Sequence, residues 1–147
     1  MEYIKIQERI IKSWSKRERI MVQSVDDSIH ITDNSHQVFT IPKEKFILDM
    51  SVLLDGNEPM NFKRIIDGIE GEDGVLSGDM KVIDNLTALK ITSENNHSWV
   101  DKKLLDKFGI KKGLHFTVPP KPTHPLLVWE GEVLCGLILP VRVKDDE

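Results

Sequence analysis

Two short phrases about a hundred positions apart constrain this chain most: "HQVFTIP" at residues 36–42 and "VLCGLILP" at 133–140. Each is apolar in the manner of a strand and ends in an aliphatic residue followed by Pro, which cannot donate to a sheet ladder and so closes a strand. Each also ends a run of strand-like segments that follows a segment with helical spacing. A chain that writes this order twice is expected to fold around one repeated strand-helix-three-strand unit.

The local patterns support that order. "YIKIQ" alternates and reads as the start of a strand, and "ERIIKSWSKRE" then places Ile10, Ile11 and Trp14 at helical spacing with Arg9, Lys12 and Lys16 on another face. "RIMVQSV", "IHIT" and "QVFTI" read as three antiparallel strands, separated by turns at Asp26-Asp27-Ser28 and Asp33-Asn34-Ser35. In the second half, "TALKITS" reads as a strand and "SWVDKKLLDKFG" as a helix capped by Ser98 and stopped at Gly109. "LHFTV", "PLLVW" and "EVLCGLILP" complete that unit. Leu104, Leu105 and Phe108 repeat the spacing of Ile10, Ile11 and Trp14 at an offset of 94, and Pro140 follows Pro42 by 98.

Between these halves, residues 43–80 read as a connecting excursion. "KEKFILDMSVLL" is apolar enough to pack, "NFKRIIDGI" predicts a short helix with Asn61 at its cap, and "EGEDGVLSGD" predicts a Gly-rich acidic loop. The 147 residues suffice for one domain with a real core, read as halves 1–42 and 81–143 around that excursion. The N-terminal stretch lacks the apolar run of a signal peptide, and no stretch of about eighteen apolar residues occurs. The single Cys135 lies in an apolar run and reads as a small buried hydrophobe. These features give the expectation of a cytoplasmic protein without membrane contact.

Charge is informative through its distribution. Residues 5–19 hold six basic residues against two acidic, and residues 101–112 hold five against two. These segments carry +4 and +3 in a chain whose net charge is −4, so the remainder holds −11. Two basic helices at equivalent places of a repeated unit put their charges on one face, a surface able to follow phosphates without reading bases.

The search for reaction chemistry is empty. His30, His36, His97, His115 and His124 are scattered, with no metal-ligand spacing among them or to Cys135, and His30 and His115 fall on predicted strands as structural histidines. The acidic "GIEGEDG" would repel a phosphate and reads as a solvated turn, and Ser77 lacks the setting of a hydrolase elbow. Of the three tryptophans, Trp14 and Trp129 are expected in the core, and Trp99, beside Asn95-Asn96-His97, is expected to be exposed. No metal, no cofactor and no catalytic residue is expected.

The whole pattern resembles one domain of a DNA sliding clamp, the processivity-factor family that includes the bacterial DNA polymerase III beta subunit. "SIHITDNSHQVFTIP" is similar to the family's strand, Thr-Asp turn and strand, although Asn34-Ser35 replaces the usual Gly. "WVDKKLLDKF" is similar to its second helix, and Leu139-Pro140-Val141-Arg142-Val143 to its final Pro-containing phrase. The resemblance implies an α+β, DNA clamp-like fold of two strand-helix-three-strand units, with two helices packed on antiparallel sheets. It implies DNA-backbone contacts by Arg9, Lys12, Lys16, Lys102, Lys103 and Lys107, and a partner-peptide groove at Pro140, Val141 and Arg142.

The resulting expectation is a non-catalytic module that binds double-stranded DNA and a replication protein and can self-associate as clamps do. The competing expectation is a protein-protein adaptor or inhibitor on the same scaffold that binds no DNA.

Overall fold

The computed structural model describes residues 1–16, 18–33, 36–49 and 61–143. The fold is α+β: a nine-stranded antiparallel sheet with few helices. Helix α1 (Tyr3–Ser15) precedes a meander of β1 (Met21–Val25), β2 (Ser28–Thr32) and β3 (Gln37–Pro42), and a single turn of 3-10 helix at Lys43–Lys45 follows. Helix α2 (Phe62–Asp67) leads into β4 (Glu72–Ile83), β5 (Leu86–Thr92) and β6 (His97–Asp101). Helix α3 (Lys102–Asp106) then precedes the second meander, β7 (Leu114–Val118), β8 (Leu126–Glu130) and β9 (Val133–Ile138).

Strands run in the order β1-β2-β3-β9-β8-β7-β4-β5-β6. The two meanders therefore stand back to back across the β3–β9 pair, where Phe39 faces Gly136. Only glycine fits there, because a Cβ at Gly136 would fall on the Val38 carbonyl oxygen, and its φ is +145°. Beyond β9 the chain reaches back to the far edge, where the Val141 N–H donates to the Trp99 carbonyl at 2.8 Å. The strands from β9 round to β6 thus come close to closing on themselves, and the larger of two core clusters lies on one face of the sheet. Ile6 and Ile10 of α1 join Ile31, Phe39, Ile41, Phe116, Val128 and Ile138 in it. Strand alternation sends Val38, Leu127 and Leu137 to the opposite face, where they meet Phe62 and Ile66 of α2.

Several sequence expectations are corrected. "YIKIQ" is helix, because Ile6, Ile10 and Ser13 recur at i, i+4 and i+7 and are all buried, a period that overrides the short alternation. Gln7 is buried too, and fully used: its Nε2 donates to the Tyr3 and Lys45 carbonyls and its Oε1 accepts from the Ile47 N–H, docking the 3-10 turn against α1. This register leaves Ile11 and Trp14 exposed. Their expected counterparts at the offset of 94, Leu105 and Phe108, are buried, so burial in the two segments does not match at that offset. At 98, Ile6, Gln7 and Ile10 align with Leu104, Leu105 and Phe108, and Ile10 and Phe108 are both fully buried.

The expected acidic loop is strand β4. Its Gly74 is buried because a side chain there would strike Val118 and the Thr92 carbonyl, and Gly78 (φ +92°) sits where the pairing with β5 shifts register between Leu76 and Met80. The glycines that suggested a loop mark close approach and a bulge. "SWVD" is strand β6, so the helix begins later, with Asp101 rather than Ser98 as its cap: the Asp101 carboxylate accepts from the Lys103 N–H at 2.9 Å. The Asn61 cap of α2 is as expected, accepting from the Arg64 N–H at 3.2 Å. Asn34-Ser35 of the expected turn and the "MSVLL" part of the apolar stretch lie outside the described residues.

Candidate functional site

The two basic helices do meet. The Arg9 guanidinium on α1 donates to the Lys107 carbonyl oxygen, just past α3, at 3.1 Å, and lies 5.8 Å from the Phe39 ring centroid. Burial pushes its pKa below the ordinary arginine value, opposed by the charge of Asp33. Arg9 is therefore a half-buried brace between the helices, and its charge is only partly presented to solvent.

Around this brace lies a groove of about 610 Å³, lined by Glu2, Lys5, Glu8, Arg9, Lys12, Asp106, Lys107 and Gly109. Lys12 and Lys107 were expected here, and Lys5 joins them from the same flank of α1. The floor is of mixed sign. Lys5 bridges Glu2 at 3.0 Å and, by hydrogen bond and charge, holds the Glu2 carboxyl below its ordinary value. Lys102 bridges Asp106 at 2.7 Å, one helical turn away. Lys12, Lys16 and Lys103 are exposed and make no ion pair among the described residues, so they are the cations most open to an external anion.

Two of the three residues expected to border a partner groove line a cleft. Val141 and Arg142 line a cleft of about 410 Å³ with Ile83, Asp84, Asn85, Leu86, Asp101 and Lys103. Pro140 is half-buried and does not line it. Lys103 thus belongs to this cleft, and the larger groove draws its cations from α1 and Lys107.

The tryptophans are exchanged relative to expectation. Trp99 is buried at 5% exposure, with the ammonium groups of Lys81 and Lys90 at 5.7 and 5.8 Å from its ring. Trp14 is the exposed one, at 42%. Trp129 is half-buried, donates to Thr117 Oγ1 at 3.0 Å and stacks on His115.

Among groups with reactive potential, Cys135 is buried and desolvation raises its thiol to about 11, which keeps it protonated at neutral pH. His30 is buried against Thr40 at 2.9 Å, and burial lowers its pKa. No group of three or more His, Cys, Asp or Glu placed to hold a metal ion occurs among the described residues. No described helix is long and apolar enough to cross a membrane. Sequence reasoning missed the pairing of His115 with Asp73, because the partners are distant in sequence and Asp73 was read as a solvated turn.

No family model matches this chain, and neither a curated protein nor a solved structure matches it.

Proposed function

We propose that this chain is a non-catalytic binding module whose α1–α3 face follows the phosphate backbone of duplex DNA without reading bases. One observation carries the reading: the basic flanks of two helices 98 residues apart are braced together around one groove by Arg9 and the Lys107 carbonyl. Lys12 and Lys16 are the exposed phosphate contacts on α1, Lys107 contributes from the groove wall, Lys103 adds a contact from the neighbouring cleft, and Arg9 positions the helices. Lys102 contributes after leaving Asp106.

The scaffold in this reading is a sliding-clamp-like domain of two equivalent units. The back-to-back meanders about β3–β9, each preceded by a helix, and the shared burial at the 98-residue offset support it. The cleft at Val141 and Arg142 then takes a peptide of a replication protein, with Pro140 supporting its wall.

The test is binding of a fluorescent duplex of about 20 base pairs at several salt concentrations. Engagement of four cations predicts a log-log salt slope of about −4. Replacing Lys12, Lys16, Lys103 and Lys107 together by Glu abolishes binding while circular dichroism stays unchanged. Affinity that survives this reversal defeats the reading.

The carboxylates Glu2, Glu8 and Asp106 inside the groove favour a second reading, a protein adaptor on the same scaffold that is indifferent to DNA at all salt concentrations. A duplex that fails to bind even at low salt selects it.

A further inference from the structure

His30 stands at the middle of β2 and is only 6% exposed. Its neighbours Ile29 and Ile31 join the larger core cluster, so strand alternation turns His30 to the opposite face of the sheet, the face that carries α2. The residues directly opposite it are Gln23 on β1 and Thr40 on β3. Thr40 Oγ1 lies 2.9 Å from its Nδ1, a partner that suits a neutral ring. An imidazolium would bring a second N–H donor and a full charge to a face covered by apolar side chains.

The element above it is lightly held. With six residues, α2 is too short to persist as a helix on its own, so it is helical while it is docked. Phe62 and Ile66, one turn apart, enter the cluster of Val38, Leu127 and Leu137. Its polar attachment runs through Gln23, whose Oε1 accepts from the Lys63 N–H at 2.8 Å and whose Nε2 donates to Asn61 Oδ1 at 3.1 Å. Gln23 is the cross-strand neighbour of His30, so the titratable ring and the attachment of the helix share one place on the sheet.

The charged groups near His30 among the described residues are Asp67 and Lys63 of α2, which pair with each other, and Asp26 of the β1–β2 turn acts on Lys63. The facing residues of β1 and β3, Gln23 and Thr40, are neutral. Burial foremost lowers the His30 pKa; Asp67 opposes this and Lys63 adds to it. A docked helix thus disfavours a proton that the undocked chain accepts near the ordinary value of about 6.5. Docking is therefore strongest above that value and weakens as pH falls below it, because the undocked chain then binds more protons.

We infer that α2 is an acid-released cover: a proton on His30 undocks the helix and uncovers Val38, Leu127 and Leu137. The sheet beneath survives, because Ile29 and Ile31 keep β2 in the larger core cluster on its other face. The device uses none of the residues proposed for DNA.

The test is amide hydrogen exchange, read by NMR on the full chain at pH 7.5 and pH 5.0 and corrected for the intrinsic effect of pH on exchange. The N–H groups of Lys63, Arg64, Gly68 and Ile69 report docking, since each is bonded in the docked helix. Their protection is expected to fall by about threefold or more at pH 5.0 while the amides of β3 and β9 keep theirs, and the His30 ring titrates below about 6.5 in the same samples. His30→Phe, which cannot take up a proton, is expected to protect α2 equally at both pH values. Protection of α2 that ignores pH in the native chain overturns the inference. A loss shared equally by β3 and β9 overturns it too, since unfolding is then global; this comparison needs no variant. A loss that persists in His30→Phe assigns the effect to another group and overturns it as well.

Discussion

The Arg9 guanidinium donates to the Lys107 carbonyl at 3.1 Å, so one side chain of α1 satisfies backbone at the end of α3. A charge-assisted bond to a backbone carbonyl contributes more than a surface ion pair. Arg9→Ala is expected to lower unfolding free energy by about 1–3 kcal/mol in urea titrations, whereas Lys12→Ala, on the exposed flank, stays within about 0.5 kcal/mol. Equal effects at the two positions would remove Arg9 from its bracing role.

His115 has an acceptor at each ring nitrogen: Asp73 Oδ1 at Nδ1 and the Gly131 carbonyl at Nε2, both at 2.5 Å. Only the imidazolium can donate to both. The Gly131 carbonyl foremost raises its pKa, burial opposes it, and the hydrogen bond and charge of Asp73 add to the rise, so the net shift is upward. A raised folded-state pKa gives stabilisation that is fully present below the unfolded value of about 6.5 and is lost as pH rises through the folded value. The stability difference between the native chain and His115→Asn is therefore expected to shrink from pH 6 to pH 8. An NMR titration midpoint at or below 6.5 would contradict this.

Glu72 has the opposite sign. Hydrogen bonds from Ser93 and then Asn95 hold its carboxyl below the ordinary value. Its contribution is present above the unfolded pKa and is lost as pH falls through the folded one. Glu72→Gln is expected to be less stable than the native chain at pH 7 and to approach it in acid, as followed by thermal melts at pH 7 and pH 3.

Gly136 and Gly131 both have positive φ but differ in surroundings. A Cβ at Gly136 collides with the Val38 carbonyl, whereas one at Gly131 meets open space. Gly131→Ala is expected to cost about 1 kcal/mol, the penalty of a left-handed backbone alone. Gly136→Ala is expected to exceed about 4 kcal/mol by forcing β3 and β9 apart. Comparable melting temperatures for the two variants would rule out this close approach.

Cys135 is buried with its thiol raised to about 11. Reaction with a thiol reagent at pH 7.5 is expected to be negligible in the folded chain and rapid in 6 M guanidinium. Prompt labelling of the folded chain would show an access path to β9.

Much of the fold is legible in the sequence. The six meander strands stand where alternation and turn residues put them, and the Asn61 cap of α2 is readable from side-chain chemistry alone. The failures share a cause. Glycines in β4 resemble loop punctuation, yet Gly74 is needed where Val118 and Thr92 crowd it. Trp99 sits in a polar neighbourhood of sequence, yet Lys81 and Lys90 arrive over it from two other strands. The candidate site follows the same division: the basic residues are visible in the chain, but the carboxylates that share their groove and the bond that engages Arg9 are not.

The sequence by itself determined which segments can be helix or strand and where positive charge accumulates, because periodicity, capping and charge are local properties. The tertiary structure decided that β4 joins the sheet, that α1 turns Ile6 and Ile10 inward while leaving Ile11 and Trp14 out, and that Arg9 reaches Lys107. Each of these depends on what a distant strand or helix brings into contact. Burial and close approach are properties of that packed arrangement, and no window of sequence contains them.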